Sequence, residues 1–130
     1  VKDGAKEKGY TETLYGRRRY FAGFKSPLPG VRAQAERMAV NAPIQGTQSD
    51  IIKLAMISAD EMLEKKGWAD KAHLLMQIHD ELVYEIDEKH ADEIGNAIRE
   101  VMQNVAPIEK LHHVPILAEM AIGKSWGDLK

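Results

Sequence analysis

The sequence contains no cysteine, which excludes a disulfide framework, a Cys-based zinc site, an iron–sulfur cluster and a thiol nucleophile. A reducing cytoplasm fits that composition. No apolar run approaches the roughly 20 residues needed to span a bilayer, and Val1, Lys2, Asp3 and Gly4 lack the apolar region of a signal peptide. Aromatic residues are scarce at 6%, and 5 prolines with 10 glycines are too few for a fibrous or low-complexity chain. What remains is 130 residues, 44% hydrophobic and 29% charged, the composition of one ordinary soluble globular domain with enough chain to bury a core. The first residue is Val rather than Met, so a fragment of a longer protein is expected.

The net charge of −2 is uneven along the chain. Residues 1–37 hold nine basic residues (Lys2, Lys6, Lys8, Arg17, Arg18, Arg19, Lys25, Arg32, Arg37) against four acidic ones (Asp3, Glu7, Glu12, Glu36), a balance of +5 that leaves −7 for the remainder. One end is suited to a polyanion and the other to cations.

There is no internal repeat, and periodicity divides the chain into segments. Residues 10–21, rich in Thr and aromatics around Gly16, predict a short hairpin presenting three arginines near its turn. Residues 22–30 carry two prolines and two glycines and predict a loop. Helix formers run from Val31 to Asn41, where Pro43 and Gly46 predict a break or kink. Thr47 is placed to cap a second helix reaching Lys66, with Ile51, Leu54, Ala55, Ser58 and Met62 on its apolar face and Gly67 as its stop. Residues 73–78 and 81–86 are β-type runs separated only by His79 and Asp80, which predicts a tight antiparallel hairpin. Ala91, Ile94, Ala97, Ile98, Val101, Met102 and Val105 share a helical face within residues 89–106, and Val114, Ile116, Ala118, Met120 and Ile122 alternate as in a half-buried strand. The fold class expected is α+β: an antiparallel sheet, the hairpin plus the C-terminal strand, packed against helices in one partial domain over 1–130.

Three places could carry chemistry. Two-residue hairpin turns favour Gly-containing or Asn-Gly pairs, yet here the pair is His79-Asp80 with Glu81 following. A local rule is broken where charge is densest, which suggests a site, although polar residues at turns are also the ordinary case. Carboxylates suit Mg²⁺, which takes one or two from the protein and fills its octahedron with water and substrate phosphate. Zinc is disfavoured because no His-x-x-x-His pair occurs, and His112-His113 are sequence neighbours, best read as loop residues. His73 and His90 lie at element edges. The second place is Arg17-Arg18-Arg19 with Lys25, Arg32 and Arg37, whose guanidinium groups match phosphate oxygens, with Tyr15, Tyr20 and Phe21 as stacking surfaces. The same residues serve equally as a solvated basic face. The third is the break between helices, where Asn41 and Gln45 flank Pro43; their amides suit a base edge or the backbone groups a break exposes.

In this order the segments resemble the C-terminal part of the family A DNA polymerases, the bacterial DNA polymerase I family. The resemblance rests on Thr13-Leu14-Tyr15-Gly16-Arg17-Arg18-Arg19-Tyr20, on Ala35-Glu36-Arg37-Met38-Ala39 with Asn41 and Pro43-Ile44-Gln45-Gly46-Thr47, on Gln77-Ile78-His79-Asp80-Glu81-Leu82, similar to motif C, and on Gly123-Lys124-Ser125-Trp126 through Lys130. Gln48-Ser49 departs from the small residues often found in that family. The resemblance implies part of a polymerase palm in which Asp80 binds the divalent ions of nucleotidyl transfer, Glu81 assists, and His79 lies close to the primer terminus. It implies that Arg17, Arg18, Arg19, Arg37, Asn41 and Gln45 contact primer–template DNA, the amides through the minor groove, whose acceptors are alike in all base pairs. The two-metal Mg²⁺ site would be completed by a motif A aspartate upstream of Val1. Implied partners are primer–template DNA, deoxynucleoside triphosphates and the remaining polymerase subdomains (fingers, thumb and the rest of the palm), with no membrane and a cytoplasmic setting in a bacterium or phage. The chain alone is expected to be inactive. The alternative is a free-standing, non-catalytic nucleic-acid-binding domain derived from that palm; a hydrolase with its own complete site lacks a second carboxylate cluster to join Asp80.

Overall fold

A computed structural model describes residues 2–107, 109, 111 and 113–129. His112 lies outside them. The chain divides into two compact units, residues 1–50 and 51–130, and the elements combine helices with two small antiparallel sheets. The α+β class follows, as expected. Among the described residues no helix is long and apolar enough to cross a membrane.

The first unit opens with helix α1 (Lys2–Lys8), followed by strands β1 (Tyr10–Glu12) and β2 (Arg18–Tyr20). They form the predicted hairpin, with Tyr10 opposite Tyr20, Thr11 opposite Arg19 and Glu12 opposite Arg18. Gly16, at φ 81°, takes the left-handed conformation the turn requires. The expected loop contains a short 3-10 turn, Ala22–Lys25, and helix α2 (Pro29–Lys65) begins earlier than predicted. Pro29 occupies its first position, where a missing N–H leaves no bond unmade. The core is built on small residues: Ala35, Ala39 and Ala42 fall at four- and three-residue spacing on one face of α2, and Ala39 and Ala42 cluster with Ala5 and Phe21.

The expected break at Pro43 is absent: α2 is one continuous helix of 37 residues with Pro43 inside it. Thr47 therefore caps nothing. A proline removes a single helical hydrogen bond, and buried side chains on both sides of it favour continuity, Ala39 and Ala42 before, Ile52 and Ala55 after.

In the second unit the later part of α2 buries Ile52, Ala55, Ala59 and Leu63. This stripe lies beside the one predicted; Ile51, Leu54, Ser58 and Met62 are only half-buried. The helix ends as expected at Gly67, φ 72°. The Trp68 N–H donates to the Leu63 carbonyl (2.8 Å) and the Gly67 N–H to Glu64 (3.2 Å), the paired bonds of a Schellman terminus. Strands β3 (Ala72–Ile78) and β4 (Glu81–Ile86) pair antiparallel, with a bulge at Leu75 between the pairs Leu74–Tyr84 and Met76–Val83. Helix α3 (Ala91–Asn104) turns Ile94 and Ile98 into a cluster with Ala59, Leu63 and Ala72. Burial pushes the Tyr84 hydroxyl above its usual pKa, and the charge of Asp60 adds to it.

The predicted C-terminal strand is not formed. Residues 114–123 join neither sheet, and Val114, Leu117 and Ile122 are exposed. The segment is tied instead to α3: the Ala118 N–H donates to Gln103 Oε1 (3.1 Å), and a Cβ on Gly95 would stand 2.8 Å from the Met120 sulfur. Alternation marks which side chains share a face, but a strand also needs a neighbouring strand to bond.

Candidate functional site

In the second unit, β3 and β4 are joined by the two residues His79 and Asp80, with Ile78 paired to Glu81. His79 has φ 54°, the left-handed region where a non-glycine residue is strained by about 1–2 kcal/mol. Such turns usually place glycine there. The Gln77 side-chain amide donates to the His79 carbonyl (3.2 Å) and steadies the turn. His79, Asp80 and Glu81 are all exposed at the hairpin tip. Two adjacent carboxylates offer the hard oxygen donors that Mg²⁺ takes, yet among the described residues no three His, Asp or Glu side chains converge to hold a metal ion.

In the first unit, Arg17, Arg18, Arg19 and Gln45 line one cleft of about 140 Å³. The three arginines are differently committed. Arg17 Nε donates to Asp50 Oδ1 (2.8 Å) and its Nη2 to the Gly46 carbonyl (3.2 Å). Arg18 Nε donates to Glu12 Oε1 (2.8 Å), and its guanidinium lies 4.5 Å from the Tyr10 ring centroid. Hydrogen bonding with Tyr20, then with Glu12, raises its pKa further above the ordinary arginine value. Arg19 has no carboxylate partner among the described residues and lies 5.5 Å from the Phe21 ring centroid.

The continuous α2 changes the setting of the amides. Arg37, Asn41 and Gln45 follow one another at intervals of four, so they form a row along one side of the helix, and all three are exposed. A break at Pro43 would have put Asn41 and Gln45 on separate elements. The row lies beside, not among, the buried positions 35, 39 and 42.

Sequence reasoning missed the residues that hold the hairpin turn. Thr13 Oγ1 donates to Asp50 Oδ2 (2.6 Å), and the Leu14 N–H donates to Thr47 Oγ1 (3.0 Å). A Cβ on Gly46 would come within 2.6 Å of Thr13 Cγ2, so the close approach of the turn to α2 depends on glycine. The usable signal was Gly46 itself: inside a helix it is about 1 kcal/mol less favourable than alanine, and a packing reason is the usual explanation. Gln77 gave no such signal.

The model of DNA polymerase family A matches residues 1–128. The thermostable DNA polymerase I of Thermus filiformis is 44% identical over 123 residues, covering 95% of this chain and 14% of that polymerase. The DNA polymerase I of Rhizobium leguminosarum is 37% identical over 124 residues, 95% of this chain and 12% of that enzyme. Among solved structures, the POL domain of Pol1 from M. smegmatis, in complex with DNA primer-template and dNTP, superposes with a TM-score of 0.89 at 41% identity, covering 99% of this chain and 22% of that one. The chain thus spans about one-seventh or less of these curated relatives.

Proposed function

The chain belongs to DNA polymerase family A, and from that premise we propose that it forms the C-terminal part of the palm of a DNA polymerase I-type enzyme, a DNA-directed DNA polymerase of replication or repair. The observation that carries this reading is the likeness, over 99% of the chain, to a polymerase domain bound to primer-template and dNTP. The strained, carboxylate-bearing turn supports motif C as its catalytic contribution.

Asp80 is the metal ligand of this chain and Glu81 the assisting carboxylate. Their donor chemistry fits Mg²⁺, and the motif A aspartate of the whole enzyme completes the site. When bound, the two ions supply activation of the primer 3′-hydroxyl and stabilisation of the charge that develops on the transferred phosphoryl group. His79, fixed by the turn, serves beside the primer terminus. Arg18, Arg19 and Arg37 pair with phosphate oxygens, which gives affinity without sequence preference. Asn41 and Gln45, in one exposed row, meet the minor groove, where donors and acceptors vary little with sequence. The fingers, thumb and remaining palm supply the rest of the nucleotide site, so the chain by itself does not extend primers.

The test is Mn²⁺ binding, read by electron paramagnetic resonance, in the complete polymerase holding a dideoxy-terminated primer–template and the next deoxynucleotide. Asp80→Ala is expected to weaken binding by roughly ten-fold or more, since even second partners of metal ligands contribute 10- to 100-fold. Unchanged Mn²⁺ binding would remove Asp80 from the metal site and favour a role in nucleic-acid binding without chemistry.

A further inference from the structure

We propose that Asp50 is a positioning residue that makes a clasp of Arg17, so that Arg17 orients the DNA-binding strand instead of pairing with phosphate itself. The inference rests on the reading of Arg18, Arg19 and the α2 row as a DNA surface. Asp50 is held with its side chain only 12% exposed, and its two oxygens accept from two residues of one turn, Oδ2 from Thr13 and Oδ1 from Arg17 Nε. Arg17 Nη2 reaches the Gly46 carbonyl one helical turn away, so one whole edge of the guanidinium faces the helix. The Thr13 hydroxyl oxygen in turn accepts from the Tyr15 and Arg17 N–H groups (3.2 and 3.3 Å). Gly46, Thr47 and Asp50 fall at three- and four-residue spacing on one face of α2, and each touches the turn. Strand β2 begins with the next residue, Arg18. Fixing Arg17 therefore fixes where Arg18 and Arg19 stand relative to Gln45 in the cleft they share.

Simple electrostatics and the clasp give opposite signs for one variant. Asp50→Asn removes a negative charge beside a surface meant for a polyanion and frees Arg17, which by charge alone should tighten DNA binding. The clasp requires that binding weaken, because the strand loses its anchor.

The experiment measures duplex affinity of the complete polymerase as a function of salt. Each phosphate contact contributes about 0.9 to the slope of log K against log salt concentration. Asp50→Asn is expected to weaken binding about ten-fold, the scale of one lost charge-assisted hydrogen bond, with the parental slope retained. Arg17→Lys keeps the charge but loses the planar two-point grip, and should behave the same; its side chain is 54% exposed, so it probes the clasp without emptying a buried site. Arg19→Gln should lower the slope by about 0.9. Tighter binding with a steeper slope for Asp50→Asn, or parental affinity for Arg17→Lys, overturns the clasp and makes Arg17 a phosphate contact. Parental affinity and slope for Arg19→Gln would instead overturn the DNA-surface reading, and the positioning role with it.

Discussion

A histidine at φ 54° in the first position of a two-residue turn is an unfavourable choice for a hairpin and an informative one. Residues held in sparsely populated backbone conformations concentrate at functional sites, where the surrounding structure over-determines them. His79→Gly removes the steric strain but adds chain entropy to the unfolded state, effects of similar size and opposite sign. Stability, followed by thermal unfolding of the complete polymerase, should therefore stay within about 0.5 kcal/mol while primer extension falls. Undiminished extension would leave the imidazole without a role. The turn was legible in the sequence because the rule it breaks involves only His79 and Asp80. The clasp was not: Thr13 and Arg17 lie 37 and 33 residues from Asp50, and Thr47 fitted a helix cap as well as an acceptor for Leu14. Only a known chain path brings such partners together.

At the scale of elements, α2 shows where local punctuation misleads. Pro43 and Gly46 are both helix-breaking signals, yet the helix continues through them because its alanine-lined face is buried on one side and its Ile52, Ala55, Ala59 and Leu63 stripe on the other. An interior proline disfavours a helix by about 3 kcal/mol relative to alanine. Pro43→Ala restores an N–H to the ladder of α2 and should raise stability by about 1–2 kcal/mol after allowance for the half-buried ring it removes; a loss of stability in denaturant titration would mean that the native helix needs the proline. The hairpins, α3 and the Gly67 stop were legible because their signals are local and agree with one another. The alternating segment 114–123 misled for the opposite reason, since side-chain pattern alone cannot provide a ladder partner, and the bulge at Leu75 left no mark in a run that is apolar on both faces.

For the molecule as a whole, basic residues gather in the first 37 positions and acidic ones beyond, the division of charge that the proposed DNA surface and metal-binding turn call for. Large apolar side chains remain exposed in the second unit, among them Leu75 at 55% and Leu117 at 80%. Contiguous exposed apolar surface marks contact with other protein, and the reading proposed above assigns these side chains to contacts with the rest of the polymerase. Prepared alone, the chain should associate at micromolar concentration in sedimentation velocity, and Leu75→Ser together with Leu117→Ser should reduce that association. A monodisperse monomer that binds no hydrophobic dye would contradict the proposed assignment of these faces to contacts with other polymerase subdomains. Family membership was legible because the motifs keep their order and spacing; the role of the hairpin tip was not, because exposed polar residues at a turn are also the ordinary case.

Whether Asp80 serves the metals while the basic surface serves the duplex is decided by single-turnover nucleotide incorporation and duplex affinity measured together on the Asp80→Ala form of the complete polymerase. Incorporation should fall by roughly a hundred- to a thousand-fold, the scale of a lost group that stabilises charge in the transition state, with duplex affinity within about two-fold of the parent, a change of only ~0.4 kcal/mol. Normal incorporation, or an equal loss of incorporation and duplex affinity, would contradict this division of roles.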